Sequence, residues 1–144
     1  MSTSNYNFKF DELTHTYYLD DKKLLSVTQC IKYLLGEQYE GVPYNILKQA
    51  GDYGTRVHFL IESLEDGIEW QTSNVYEENA IKQYKKIKDF ETLDKEMFVL
   101  YKDIYCGRVD GVGDNIIYDV KTTSKLNKEY LKYQLSLYLI AYDE

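Results

Sequence analysis

The chain has 144 residues, 44% of them hydrophobic and 15% aromatic, enough for a single globular domain with one core and too few for two comfortable ones. A formal net charge of -7 and a pI of about 4.9 argue against a protein that coats nucleic acid through its overall field, so any DNA contact must come from a local basic surface. Two distant cysteines, Cys30 and Cys106, suggest neither a disulfide framework nor a metal knuckle, and no apolar run approaches a membrane span; with no signal-peptide character at Met1 to Tyr6, a cytoplasmic, reduced setting is expected.

Asn7 to Leu25 mixes aromatic and β-branched residues around Asp11-Glu12 and Asp20-Asp21, which predicts a hairpin or short meander. Ser26 is expected to cap a helix running to about Leu35, with Gly36 at its C-terminal end. Pro43 opens a second short helix to about Ala50, Gly51-Asp52-Tyr53-Gly54 reads as a loop, and a helix from about Thr55 to Leu64 carries His58. The next helix, capped by Ser73 or Asn74, runs to about Asp89 with Val75, Ala80, Ile81, Tyr84 and Ile87 as its apolar stripe. Lys82, Lys85, Lys86 and Lys88 read as its solvated face. Strands follow at Lys95 to Leu100, Ile104 to Val112 and Ile116 to Lys121, then a last helix from near Asn127 with Leu131, Leu135, Tyr138 and Leu139 at helical spacing. The predicted class is α+β.

The chemistry concentrates between Gly107 and Lys121, two strand-like runs around a Gly and Asx turn signal. If the two-residue turn is Asp114-Asn115, Asp110 lies across from Asp119, and like charges so opposed lower stability unless something compensates. A bound cation is the obvious candidate. Side chains alternate along a strand, so Asp119 and Lys121 share a face. Ile116, Ile117, Tyr118 and Val120 predict a largely buried strand, where acids are rarely tolerated without a partner. The bland alternative makes Asp110, Asp119 and Lys121 ordinary turn and strand-end residues.

Gly107-x-x-Asp110, Asp119-x-Lys121 and Gln134-x-x-x-Tyr138, preceded by His58 on a helix, resemble the ordered motifs of the PD-(D/E)XK nuclease superfamily. The nearest resemblance is to its RecB-like branch, which includes CRISPR-associated and phage exonucleases. His15-x-Tyr17 and Leu25-Ser26-Val27-Thr28-Gln29 also resemble the N-terminal region of phage members. The resemblance implies a restriction-endonuclease-like core, a central mostly antiparallel sheet flanked by helices, behind the N-terminal hairpin and helices. It implies a deoxyribonuclease, exonucleolytic and of phage or mobile-element origin, using Mg2+ or Mn2+ held by Asp110, Asp119, the Val120 carbonyl, His58 and Glu96. Lys121 would orient the attacking water, and Gln134 and Tyr138 would position the substrate or Lys121. Four cysteines for the iron-sulfur cluster of some relatives are absent.

For Glu96 a solvent-facing strand charge stays open, as does a polar residue beside a core tyrosine for Gln134 and Tyr138. Glu62, one helical turn after His58, could orient it, join the ligands or solvate the helix. DNA is expected along Arg56, Arg108, Thr122, Thr123, Ser124, Lys125, Lys128 and Lys132. Relatives usually continue past the last helix with a further strand, so a C-terminally truncated or minimal form is expected, with an open sheet edge that favours a homo-oligomer or a recombination or defence complex. Two other classes compete: a catalytically silent nuclease-like module that binds DNA or a protein, and an assembly protein whose 16 tyrosines serve an interface.

Overall fold

A computed structural model describes residues 7–123 and 126–143. The class is α+β: among the described residues, a mixed six-stranded sheet and four helices. The strands are β1 (Phe8–Asp11), β2 (Thr16–Leu19), β3 (Lys22–Ser26), β4 (Asp94–Tyr101), β5 (Tyr105–Gly113) and β6 (Ile116–Tyr118). The helices are α1 (Val27–Leu35), α2 (Tyr44–Glu65), α3 (Val75–Ile87) and α4 (Lys128–Tyr142). Sheet order is β1-β2-β3-β5-β4, with β6 also paired to β5. The chain forms two compact units, one from the described parts of Met1–Gln38, Glu96–Asp110 and Asn127–Glu144, the other from those of Tyr39–Lys95 and Gly111–Leu126.

In the first unit β1, β2 and β3 form the expected meander. Asp20 and Asp21, with φ of 50° and 65°, make the two-residue turn that pairs Leu19 with Lys22; positive φ at both positions matches the right-handed twist of the strands. Tyr17, Leu19, Leu24 and Cys106 form one cluster of the core, with Phe8, Phe10 and Leu100 packed against it. Burying each large apolar side chain contributes roughly 1.5–3 kcal/mol. Burial also pushes the Cys106 thiol up to about 12, which keeps it neutral and inert. Ser26 caps α1 as expected, and does so through a capping box with Gln29. β3 then runs parallel to β5, with Leu25 opposite Tyr105 and Ser26 opposite Cys106.

α4 turns a different face inward from the leucine stripe. Gln134, Tyr138 and Ala141 are buried, whereas Leu139 is exposed and Leu131 and Leu135 are only partly covered. The helix is apolar nearly all round, so spacing could not select its face. Gly107 does: a Cβ there would lie 2.6 Å from Tyr138 Cε1 and 2.8 Å from Val27 Cγ2, so the bare backbone admits both side chains.

The second unit rests on Val57, Leu60, Ile61 and Ile81, with Tyr53, Leu64, Ala80, Tyr84 and Val120 packed around them. Here the prediction of two helices with an intervening loop is corrected. α2 runs unbroken through Gly51 to Gly54, although glycine inside a helix costs about 1 kcal/mol relative to alanine. Gly54 has a packing reason to be there: a Cβ would sit 3.2 Å from Thr122 Oγ1, so the glycine lets the segment after Lys121 approach the helix. α3 begins at its predicted cap, where Asn74 accepts from the Glu77 N–H at 2.9 Å.

Two further glycines shape this unit. Tyr118 pairs with Gly111 across β5 and β6, and a Cβ on Gly111 would lie 2.0 Å from the tyrosine ring. Gly113 likewise leaves room for Phe90 and Ile116. The Gly113–Ile116 pair establishes Asp114-Asn115 as the turn, with Asn115 at φ 57°.

Candidate functional site

β6 is shorter than predicted and half-exposed rather than largely buried, so Asp119, Val120 and Lys121 lie just beyond it. The β5–β6 register runs from Gly113–Ile116 to Gly111–Tyr118, one position short of Asp110 and Asp119. Leaving the ladder turns the Val120 carbonyl to a side chain: His58 Nε2 donates to it at 2.9 Å, while the Val120 side chain joins the apolar cluster. Because a carbonyl only accepts, this contact puts the proton of a neutral His58 on Nε2.

Lys121 Nζ lies 2.8 Å from Asp119 Oδ2, so both side chains turn the same way, as the two-residue spacing predicts. The Asp119 side chain is only 7% exposed and that of Lys121 29% exposed. A carboxylate so withdrawn from water loses several kcal/mol of hydration, which the neighbouring ammonium offsets. The second unit thus brings His58 to the consecutive residues Asp119, Val120 and Lys121, about 60 positions further along the chain.

In the first unit, Arg108 and Asp110 alternate with buried Val109 along β5. Arg108 Nε contacts Glu96 Oε2 at 3.0 Å, and its guanidinium lies over the rings of Phe10 and Phe98. Glu96 has φ 50°, a conformation that costs a non-glycine residue of order 1–3 kcal/mol and that clusters at functional sites. Arg108 is therefore engaged with an acid and two rings of its own unit, as well as with Glu12 at 3.5 Å. Gln134 Nε2 donates to Tyr138 Oη at 3.2 Å, and among the described residues the buried Gln134 Oε1 has no hydrogen-bond partner.

Other assignments shift. Arg56 Nε contacts the buried Glu77 carboxylate at 3.3 Å and its Nη2 donates to the Gln71 carbonyl at 3.2 Å, so this arginine anchors the start of α3. Glu62 pairs with Lys95 at 3.5 Å, and Lys95 also contacts Asp66, whose hydrogen bond raises the lysine pKa. Thr122 is half-buried and Thr123 exposed; Ser124 and Lys125 lie outside the described residues.

Sequence reasoning missed the surroundings of Asp119. The second unit contains a cavity of about 410 Å³ whose lining includes Tyr53, Tyr84, Phe90, Tyr118, Asp119 and Lys121. Lys88, expected on the solvated face, contacts Glu65, which Tyr84 also contacts. Burial alone would raise the Glu65 pKa, but hydrogen bonds from Lys88, Tyr84 and Thr92 hold it below its ordinary value. A folded-state pKa below the unfolded one contributes stability above roughly pH 4.3, which is lost as the pH falls through the folded value. Urea unfolding should therefore show a smaller loss of stability on acidification below that pH for Glu65→Gln than for wild type; equal acid sensitivity would refute the network. The pairing of Gly111 with an aromatic was the one available signal for this cavity.

Among the described residues no helix is long and apolar enough to cross a membrane. Comparisons with protein-family models, curated proteins and solved structures find no match for this chain.

Proposed function

We propose that the chain is a metal-dependent DNA nuclease that hydrolyses phosphodiester bonds. The observation that carries this reading is the 2.9 Å contact between His58 Nε2 and the Val120 carbonyl, beside the Asp119–Lys121 pair. With the proton moved to Nδ1, the imidazole nitrogen and the Val120 carbonyl oxygen would both be free to act as donors to an ion. The proposed donors are His58, Asp119 and the Val120 carbonyl of the second unit; the parts of Asp110 and Glu96, which belong to the first unit, rest on the motif resemblance alone. Mg2+ or Mn2+ suits such oxygen-rich donors.

The bound ion would supply charge neutralisation at the phosphate and a more acidic water. Lys121 holds Asp119 in place and presents its ammonium to developing negative charge and to the water. Water oxygen bonds to phosphorus, its proton leaves, the bridging P–O bond breaks, and the departing oxygen takes up a proton. The unpartnered Gln134 Oε1 supports a positioning role, because an unsatisfied buried acceptor costs about 1–3 kcal/mol. Exonuclease action rests on the motif resemblance alone.

A second reading, a silent module that binds a protein partner, is favoured by the net charge of -7 and by the internal pairing of Arg56 and Arg108. End-labelled linear and circular DNA, incubated with Mg2+ or Mn2+, separates the two. The nuclease reading expects metal-dependent loss of the linear substrate by wild type and none by Asp119→Ala. Equal activity in the variant, or none in either, rejects it.

A further inference from the structure

We propose that the cavity of the second unit receives an unpaired nucleobase at the end of the DNA strand being cut; this names the substrate class of the nuclease reading and rests on it. The cavity holds about 410 Å³, within the range of roughly 300–1,000 Å³ typical of small-ligand sites. Its walls are largely aromatic and aliphatic. Phe90 and Tyr118 meet edge to face at 5.3 Å, and Tyr118 Oη and Thr92 Oγ1 are hydrogen-bonded at 2.9 Å, which fixes the ring. Gly111 and Gly113 make this arrangement possible, because a Cβ on either would occupy the space of those rings.

The polar part of the lining identifies the occupant. Asp119, Lys121, Thr122 and Thr123 line the same cavity as the rings. An apolar ligand would leave these groups unused. A nucleotide matches both parts: its base stacks on aromatic surface, and its phosphate meets lysine and threonine donors beside the ion proposed at Asp119. A base held in a duplex cannot enter, so the matching substrate is a single-stranded or frayed end.

The test uses short single-stranded oligonucleotides carrying 2-aminopurine at either terminus or internally, with Ca2+ replacing Mg2+ to slow cleavage. Stacking in the cavity quenches the fluorescence of one terminal probe and leaves the internal probe bright. An oligonucleotide with an abasic residue at that terminus should bind about 5- to 150-fold more weakly, the factor expected for losing one stacked base. Gln83→Trp and Ile87→Trp, at exposed lining positions on α3, should fill the cavity and abolish the quench, with circular dichroism confirming the fold. Equal affinity for abasic and intact ends, or quenching unchanged in both folded tryptophan variants, overturns the assignment. If wild type still degrades DNA under those outcomes, the cavity assignment fails and the nuclease reading stands. Selective terminal quenching by a protein that never cleaves DNA retains the base pocket and rejects the nuclease reading.

Discussion

Lys121→Met is expected to lower DNA cleavage by roughly 10³-fold while leaving divalent-ion binding close to wild type. The lysine is not a proposed ligand; it stands 2.8 Å from Asp119, where in the proposed mechanism its charge would serve the transition state, and removing one such preorganised charge commonly costs 10²–10³ in rate. Methionine keeps most of the stem's packing and removes the ammonium. Single-turnover cleavage of labelled DNA measures the effect, with Mn2+ titration as the companion. A variant that cuts at the wild-type rate removes Lys121 from the chemistry. One that loses metal affinity along with activity shows that the ammonium's main work is to hold Asp119 in place.

A large effect on stability is expected at Gly107. The Cβ of Gly107→Ala would enter within 3 Å of both Tyr138 and Val27. Neither neighbour yields easily: Val27 is 2% exposed, Tyr138 is 6% exposed, and each sits on a helix packed in the same unit. Overpacking of this kind typically costs 1–3 kcal/mol, and the upper part of that range is expected because two contacts are violated at once. The urea midpoint should fall with the slope unchanged. An unaltered midpoint would show that α4 can shift outward freely. The first glycine of Gly-x-x-Asp is thus explained by packing, independently of any catalytic role.

Local signals in the sequence were reliable where chemistry acts within a few residues. Ser26 with Gln29, Asn74 with Glu77 and the Asp114-Asn115 turn each fix a boundary through hydrogen bonding or backbone conformation close by. Gly51 and Gly54 misled because a glycine that breaks a helix and one that admits a neighbour look alike until the neighbour, Thr122, is known. The face of α4 was illegible for a related reason, since an evenly apolar helix is oriented by what it meets. At the candidate site, the same-side placement of Asp119 and Lys121 followed from spacing. The His58–Val120 contact joins residues 62 apart, and only the motif resemblance pointed to it. The engagement of Arg56 with Glu77 had no sequence signal beyond charge.

We propose that the imidazole of His58, the carboxylate of Asp119 and the Val120 carbonyl take up one divalent ion. Calorimetric titration of Mn2+ into the wild-type chain and into Asp119→Asn, a change that removes charge and keeps size, tests it most directly. Saturable binding at one ion per chain is expected in the wild type, with its loss in a variant whose circular dichroism is unchanged. Absence of binding to the wild type, or equal binding to both, would contradict it.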